Sequence, residues 1–281
     1  MNYIQIDFKF QNENPGEDGE ILIARLSELP FESFQETENG LRAFMPSDAF
    51  DKNQIENFLK GLKPALNFDY EITEIEDQNW NKQWESNYQP VFIDEKCYIR
   101  APFHEPKPDV DFEISIEPKM SFGTAHHETT AMMISFILEN DWAGKTVLDM
   151  GCGTGVLAIL ASMKGAEKLV AIDNDEWAHA NTLENLERNK ISNTEVIQGG
   201  KEAIPQMKFD VILANINRNI LLDQMEDFSR VLSKSGKLFM SGFYEEDLPV
   251  LENQAGELHL EFVTRKTKNR WCAALFEMNA V

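Results

Sequence analysis

The sequence predicts an α/β protein in which a small N-terminal α+β unit precedes a larger unit with a mostly parallel sheet. A glycine-rich run, VLDMGCGTGVL at residues 147–157, indicates a strand, a tight loop and the start of a helix. The run FDVILANIN at residues 209–217 is almost continuously apolar, as in a strand buried on both faces of a parallel sheet. The chain has 281 residues, which is enough for two domains that each bury a core.

Composition limits the classes of function. The formal net charge of −22 argues against long non-specific contact with nucleic acid, because such contact depends on Lys and Arg that neutralise phosphates. It favours a basic protein partner, although a charge that only maintains solubility explains the same composition. No apolar run approaches the roughly 20 residues of a membrane span, and no signal peptide is visible, so we expect a cytoplasmic protein. Three scattered cysteines, Cys97, Cys152 and Cys272, fit neither a disulfide framework nor a zinc site.

The N-terminal elements begin with a strand at residues 3–10, where apolar residues alternate onto one face. A helical pattern follows from Gly16 to Leu29. The dipeptide Asn39-Gly40 then separates two strand patterns, FESFQET and LRAFMP, and is the strongest two-residue signal for a β-hairpin. The sequence therefore predicts strand, helix and hairpin in that order.

Ser47 or Asp48 is expected to cap a second helix, and FDYEITEI at residues 68–75 supplies a fourth strand. The resulting order βαββαβ is that of a ferredoxin-like unit. Residues 1–80 contain 6 Lys and Arg against 17 Asp and Glu, which is half of the net charge of the chain. We therefore predict that residues 1–76 form a ferredoxin-like domain that recognises a basic substrate.

Residues 77–117 are expected to connect this domain to the larger one. Trp80 and Trp84 lie four residues apart on one face of a short helix, and packing between the domains is favoured over stacking against a substrate. Two strand patterns, YIRAPF and FEISIE, flank a Pro-rich turn and lead the chain into the second domain, residues 118–281.

The glycine-rich run predicts a binding loop for a small polar ligand. Gly151, Gly153 and Gly155 lack Cβ atoms, so the backbone can adopt positive φ and approach a ligand closely, while the helix start presents unpaired N–H groups. A dinucleotide fingerprint needs a third small residue where this chain has Val156. The pattern D-x-G-x-G-x-G, which begins at Asp149, instead resembles the first motif of the class I methyltransferases. This resemblance implies S-adenosylmethionine as the cofactor.

Two further polar residues end predicted strands of the sheet. KLVAID ends in Asp173, where a carboxylate accepts hydrogen bonds from both ribose hydroxyls if the two strands are neighbours. FDVILANIN places Asn215 at the carboxyl edge, where open α/β sheets bind ligands, although a simple turn residue is the alternative. The turn Gly199-Gly200 follows the intervening strand, TEVIQ, and marks the expected position of the adenine.

The segment before the first strand of this sheet, SFGTAHHETT, runs into an apolar helix. His126, His127 and Glu128 suggest a metal site, but the spacing of metal-binding motifs is absent, and a capping role needs no further assumption. We therefore expect no metal. Thr129 and Thr130 stand where a hydroxyl can meet the methionine end of the cofactor, and ordinary capping is the equally favoured alternative.

The remaining elements complete the sheet. An amphipathic helix spans residues 220–232, KLFMSGF is a fifth strand, and a further helix precedes the strands HLEFVT and WCAALFEM. Five alternating strands with a terminal hairpin resemble the class I methyltransferase fold. The resemblance implies a Rossmann-like sheet that is mostly parallel and ends in an antiparallel hairpin strand.

Several motifs together resemble one bacterial family, the methyltransferases of large-subunit ribosomal protein eleven (PrmA). These motifs are SFGTAHHETT, the glycine-rich loop, VAIDND, LANIN and the preceding QNWNKQWESNYQP. Two positions depart from the family pattern, because Ala125 replaces a usual glycine and the loop reads GCGTG where GTGSG is commoner. Neither change removes a side chain that contacts the cofactor, although Ala125 narrows the conformational freedom of the loop.

The resemblance covers the whole chain and implies a function. It implies methyl transfer from S-adenosylmethionine to amines of ribosomal protein eleven, namely lysine side chains and the N-terminal amine. The cofactor-contacting positions of the family fall here on Thr130, Gly151, Asp173 and Asn215. We expect the enzyme to be a monomer.

Asn215 is also the expected catalytic residue. Methyl transfer is an in-line displacement that needs a neutral amine within attack distance, and the side-chain carbonyl of Asn215 is suited to hold that amine. A glutamine or nucleobase amine methyltransferase on the same scaffold is the first alternative, but residues 215–218 lack the proline and aromatic residue of the usual N-P-P-Y motif. The second alternative is a non-catalytic cofactor-binding module, against which the glycine-rich loop and Asp173 argue.

Overall fold

The computed structural model describes residues 2–11, 15–37, 39–63, 66–75, 88–119 and 121–280. By its internal contacts the chain divides into two units, Met1–Tyr88 and Gln89–Val281. The predicted tryptophan pair, Trp80 and Trp84, lies outside the described residues. No helix in the described ranges is long and apolar enough to cross a membrane.

The first unit contains an antiparallel four-stranded sheet with the strand order β2-β3-β1-β4. This is the ferredoxin-like arrangement that the sequence predicts. Two helices complete the βαββαβ order. In chain order the elements are β1 (Tyr3–Phe10), α1 (Pro15–Leu26), β2 (Ser33–Thr37), β3 (Gly40–Pro46), α2 (Lys52–Leu62) and β4 (Phe68–Ile75).

The core of the first unit lies on one face of this sheet. The alternation in β1 is as predicted, with Ile6 and Phe8 buried between the two helices' apolar faces and the neighbouring strands. The predicted cap of α2 is wrong. Asp51, and neither Ser47 nor Asp48, accepts hydrogen bonds from the first backbone N–H groups of α2, because residues 47–49 form a separate short 3₁₀ turn.

The second unit is built on a seven-stranded sheet with the order β10-β9-β8-β11-β12-β14-β13. The first five strands in this order, β10 to β12, are parallel, and β14 pairs antiparallel with both β12 and β13, which confirms the predicted Rossmann-like sheet with its terminal antiparallel hairpin. The strands are β8 (Thr146–Met150), β9 (Lys168–Asp173), β10 (Thr194–Gln198), β11 (Phe209–Asn215), β12 (Leu232–Tyr244), β13 (Leu260–Lys268) and β14 (Trp271–Met278).

Helices cover both faces of this sheet. The first face packs against α3, α4 and α5, and the opposite face packs against α6 and α7. Alternate residues of each strand enter the two cores, as Val147 and Leu148 do in β8. The helices are α3 (Glu128–Glu139), α4 (Val156–Met163), α5 (Glu176–Arg188), α6 (Arg218–Val231) and α7 (Leu248–Glu257).

A separate three-stranded sheet precedes α3. Its strands are β5 (Val91–Ile93), β6 (Cys97–Arg100) and β7 (Phe112–Ser115). Side chains from all three strands, including Ile99 and Ile114, join the core on the first face of the seven-stranded sheet. Residues 89–117, which the sequence assigns to a connecting segment, therefore share the hydrophobic core of the second unit.

Helix α5 carries a buried row of polar side chains. Asn181, Thr182 and Asn185 are each fully buried. The Thr182 hydroxyl donates to the Gly153 carbonyl at 2.8 Å, and Asn185 Nδ2 donates to the Thr154 carbonyl at 3.0 Å. Asn185 Oδ1 in turn accepts a hydrogen bond from the backbone N–H of Glu117, just after β7, at 2.9 Å. One helix thus fastens the glycine-rich loop to the segment that precedes α3.

We predict that Asn185→Ala lowers the free energy of unfolding by roughly 2–4 kcal/mol, because it leaves the buried Thr154 carbonyl and the partly buried Glu117 N–H without partners. Urea unfolding measures this loss. The matched control is Glu184→Ala on the same helix, whose exposed ion pair with Lys119 contributes little. Equal effects of the two substitutions would show that the Asn185 hydrogen bonds do not hold the loop.

Candidate active site

The carboxyl ends of β8, β9 and β11 meet around a cavity of about 420 Å³. Three of the four predicted cofactor-contacting residues, Gly151, Asp173 and Asn215, border this cavity. Thr130 does not border it, since its side chain is fully buried behind Asn215. The neighbouring Thr129 does border it. The structure therefore brings the predicted site residues together, with Thr130 in a supporting position.

The glycine-rich loop adopts the left-handed backbone conformation that its sequence predicts. The φ angles of Gly151, Gly153 and Gly155 are 73°, 57° and 78°. A Cβ atom on Gly153 would overlap the carbonyl oxygen of Phe122, so close packing as well as the positive φ requires glycine there. The loop passes directly into α4, because Gly155 occupies the N-cap position.

Asp173 lies at the end of β9, one strand away from the glycine-rich loop. Its Oδ2 accepts a hydrogen bond from the Gly153 N–H at 2.9 Å, and its Oδ1 accepts one from the Asp175 N–H at 3.0 Å. These two bonds fix the plane of the carboxylate. A carboxylate oxygen has two lone pairs, so each oxygen retains capacity to accept another hydrogen bond. Asp173 can therefore serve as a fixed double acceptor for hydroxyl groups.

Asn215 ends β11 on the opposite side of the cavity from Asp173's strand, with β8 between them. Its Nδ2 donates to the Thr130 hydroxyl at 3.2 Å. This bond sets the orientation of the amide, and the other atom, Oδ1, is buried without a hydrogen-bond partner. An unpaired buried carbonyl is unfavourable, so it indicates a group that receives a donor from a ligand.

Other unpaired polar atoms lie at the same place. Among the described residues, five buried side-chain oxygens lack a partner, and three of these belong to residues that border the cavity or an adjoining hollow. Those three residues are Ser121, Asn215 and Gln224. The sequence did not indicate Ser121. Gln224 had a visible signal, because it interrupts the apolar stripe of α6 between Leu221 and Met225.

One of the two histidines before α3 caps that helix. His127 is the N-cap of α3 and accepts a hydrogen bond from the Thr129 N–H, as the capping interpretation predicts. Its ring lies 4.7 Å from the Trp271 ring and 5.3 Å from the Phe122 ring. Tyr244 continues this row, with its ring 4.3 Å from that of Trp271. Phe122, His127 and Trp271 form an aromatic wall along one side of the cavity, and Tyr244 extends this wall into an adjoining hollow.

Comparisons with known proteins agree with this geometry. The family profile described as Ribosomal protein L11 methyltransferase (PrmA) matches residues 19–279. The chain belongs to this family. A ribosomal protein L11 methyltransferase of Phocaeicola vulgatus is 42% identical over 281 residues, covering 99% of this chain and 100% of that protein. Its counterpart in Bacteroides thetaiotaomicron is 44% identical over 260 residues, which is 92% of this chain and 93% of that protein.

A solved structure supports the same assignment. The crystal structure of ribosomal protein L11 methylase from Lactobacillus delbrueckii subsp. bulgaricus matches with a TM-score of 0.64 and 26% sequence identity. The match covers 68% of this chain and 100% of that chain. This member of the PrmA family is therefore a methyltransferase with S-adenosylmethionine as its cofactor. The residues at the sheet edge fit that cofactor, since they offer a glycine-lined backbone and several unpaired acceptors.

Asp149 lies at the end of β8, directly beneath this site. It is buried, and its Oδ2 accepts a hydrogen bond from the Ala158 N–H at 3.1 Å. Burial raises the pKa of Asp149 to about 7, and the negative charge of Asp173 adds to the rise, while the hydrogen bond from Ala158 opposes it. The PrmA-family motif thus places a carboxyl group that titrates near neutral pH under the glycine-rich loop.

This pKa predicts a pH-dependent stability. The folded pKa of Asp149 lies above its ordinary value near 4, so its stabilising contribution is complete below about pH 4 and is lost as the pH rises toward 7. Asp149→Asn is neutral throughout. The difference in free energy of unfolding between Asp149→Asn and the parent should therefore rise, in favour of the variant, by roughly 1–4 kcal/mol between pH 4 and pH 8.

Urea unfolding at several pH values measures this difference. Asp109→Asn, at an exposed position in the loop between β6 and β7, is the control and should follow the parent at every pH. A difference between Asp149→Asn and the parent that stays constant over this range would contradict the raised pKa.

Proposed function

We propose that this enzyme methylates amines of ribosomal protein L11, namely lysine side chains and the N-terminal amine. The observation that carries the proposal is the buried Asn215 Oδ1, an oriented acceptor without a partner at the cofactor cavity. An amine is the donor that such an oxygen suits. The identity of the substrate is supported by relatives with the name ribosomal protein L11 methyltransferase, at 42% and 44% identity.

The bound cofactor supplies an electrophilic methyl group on a sulfonium. In the transfer a bond forms between the amine nitrogen and the methyl carbon, and the carbon–sulfur bond breaks with its electron pair going to sulfur. The amine must be neutral to attack, although a lysine ammonium has an ordinary pKa of about 10.4. Desolvation in the cavity and the nearby sulfonium charge both lower that pKa. The product ammonium later loses a proton to water if a further methyl group is to be added.

The Asn215–Thr130 pair positions the amine. Because Thr130 accepts from Asn215 Nδ2, the amide cannot rotate without loss of that bond, and Oδ1 stays directed at its buried position. An acceptor that is fixed before the substrate binds holds the amine lone pair in line with the methyl group. Asn215 thereby contributes to cofactor and substrate placement without acting as a base.

The other predicted residues place the cofactor. The two Asp173 oxygens accept from the ribose hydroxyls, and the glycine-rich loop, which includes Gly151, allows the cofactor to lie against the backbone. Ser121 and Thr129 offer hydroxyls on the methionine side of the cavity. The hollow beyond Asp173, bordered by Gly199 and other residues, receives the base.

The substrate side chain enters along the aromatic wall. A hollow of about 580 Å³ adjoins the cavity and shares Asn217, Gly242 and Trp271 with it. Tyr244 also borders this hollow. The apolar rings of Trp271 and Tyr244 suit the aliphatic stem of a lysine.

The N-terminal unit recognises the substrate protein. This role is supported by its separate ferredoxin-like core and by its share of the negative charge, since residues 1–80 carry half of it. A charge of −22 attracts a basic ribosomal protein, disfavours long contact with nucleic acid and opposes self-association. We propose accordingly that the enzyme works as a cytoplasmic monomer on a protein partner.

The catalytic role of Asn215 is tested with Asn215→Ala. We expect the turnover number for methylation of ribosomal protein L11 to fall roughly 100-fold, because the amine loses its fixed acceptor. Mass spectrometry of the protein substrate should show the parent's methyl groups on lysine side chains and on the N-terminal amine.

Asn253→Ala is the matched control, because Asn253 is exposed on α7 and borders neither the cavity nor the adjoining hollow of about 580 Å³. It should retain the parent's turnover. Methyl groups found only on glutamine or on RNA, or full activity of Asn215→Ala, would refute the proposed reaction.

The role of the N-terminal unit is tested by deletion of residues 1–88. The remaining residues 89–281 contain the complete seven-stranded sheet and every predicted site residue, so the fragment should fold and bind cofactor within a few-fold of the parent. Its methylation of ribosomal protein L11 should collapse. In the full-length enzyme the apparent substrate affinity should weaken as salt is raised, because screening shortens the reach of exposed charges.

The deletion has its own control. Cofactor affinity measured by calorimetry separates loss of substrate recognition from loss of the fold. A folded fragment that methylates the protein substrate at the parent's rate would assign the N-terminal unit another purpose.

A further inference from the structure

Gln224 is a polar side chain in an apolar position. Its neighbours on the buried side of α6, Leu221, Met225 and Phe228, are completely buried, and Gln224 itself is 8% exposed. Its Oε1 is buried and has no hydrogen-bond partner. A glutamine that served only to pack the helix would be replaced without loss by an apolar residue, so the unpaired carbonyl points to a ligand.

The surroundings of Gln224 indicate which part of the cofactor it contacts. It borders a small hollow that shares Gly151, Asp173 and Ile216 with the main cavity. Asp173 thus stands between the two spaces. When its carboxylate holds the ribose, the two ends of the cofactor extend to opposite sides of it. The main cavity contains Asn215 and the aromatic wall, so the hollow beside Gln224 receives the base.

The hollow has the chemistry of a site for a flat heterocycle. Ile216 and Ile220 offer apolar contact surfaces, and the backbone of Gly199 and Gly200 closes the side beyond β10. Ile220 lies one helical turn before Gln224, so both side chains project from the same face of α6. Apolar groups can then cover the faces of a base while Gln224 meets its polar edge.

We infer that Gln224 recognises the adenine of S-adenosylmethionine through the exocyclic amino group. The side-chain carbonyl accepts a hydrogen bond from that amino group, and the amide N–H complements the adjacent ring nitrogen. Adenine presents this donor next to an acceptor, which is the pattern that a glutamine amide matches. The inference rests on the placement of the ribose at Asp173 that is proposed above.

This role has an energetic signature that a structural role lacks. In the free protein the Gln224 carbonyl is desolvated and unpaired, and cofactor binding satisfies it. Gln224→Met keeps the volume of the side chain and removes the amide. The free variant should therefore unfold at the same or a higher temperature than the parent, while its affinity for the cofactor falls. A glutamine that stabilised the helix would give the opposite change in stability.

The test compares two nucleosides that differ at one position. S-adenosylhomocysteine carries the amino group, and the analogue with an unsubstituted purine carries a hydrogen atom in its place, which offers the Gln224 carbonyl no donor. Calorimetry with the full-length parent should show a preference of about tenfold or more for the adenine compound. In Gln224→Met the affinity for S-adenosylhomocysteine should fall about fivefold to tenfold, and the preference should shrink to within about twofold.

Gln254→Met is the matched control. Gln254 lies on α7, and its Nε2 donates to the Leu222 carbonyl at 2.6 Å, away from the hollow. This variant should keep the parent's preference for adenine. Retention of the full preference in Gln224→Met, or a parent that binds both nucleosides equally, would overturn the assignment of Gln224.

A further variant distinguishes failure of the Gln224 assignment from failure of the proposed ribose placement at Asp173. Asp173→Ala should lose affinity for both nucleosides by about tenfold or more, because each carries the same ribose. Unchanged binding in Asp173→Ala would overturn the ribose placement on which the adenine assignment rests. If Asp173→Ala loses affinity as expected but Gln224→Met keeps the parent's preference for the adenine compound, only the assignment of Gln224 is overturned.

Discussion

The active site depends on how the glycine-rich loop is held between β8 and α4. Its glycines have left-handed backbone conformations, and the loop contains carbonyls whose hydrogen-bond partners lie outside both β8 and α4. Thr182 and Asn185 on α5 satisfy two of these carbonyls, and Asp173 accepts from the N–H of Gly153. The loop is therefore fixed at its donors and its acceptors by groups outside it. The buried polar row of α5 therefore supports the loop that lines the cavity.

Three polar groups that border the main cavity and the small hollow beside Gln224 are hydrogen-bond acceptors. The carboxylate of Asp173 and the unpaired carbonyls of Asn215 and Gln224 all await donors. In the function proposed above, the adenosyl cofactor and the amine substrate present donors at three matching places, which are the ribose hydroxyls, the base and the attacking nitrogen. Because Asp173 and Asn215 are oriented by their own hydrogen bonds, these two groups need little reorganisation when the ligands arrive. The enzyme has the polarity that its two substrates require before either one binds.

Sequence patterns predicted the features that arise from short-range constraints. The Asn39-Gly40 hairpin, the glycine-rich loop and the strand end at Asp173 follow from local backbone chemistry and from the alternation of strands and helices. Features that depend on distant contacts were not predictable. The position of Thr130 behind Asn215 depends on packing across 85 residues of chain. The β5–β7 sheet has polar connecting segments that suggest a linker, and its membership of the core depends on how it packs against α4 and other parts of the second unit.

The thiol of Cys152 sits within the glycine-rich loop, and its burial has a chemical consequence. Burial and the nearby Asp149 charge raise the pKa of Cys152, and burial raises that of Cys97 to about 12 and that of Cys272 to about 11. The thiolate is the form that reacts with oxidants and alkylating agents, so all three cysteines should react slowly while they are buried in the folded protein. Alkylation of Cys152 then requires the loop to leave α5. The rate at which Cys152 is alkylated therefore reports how often the glycine-rich loop opens.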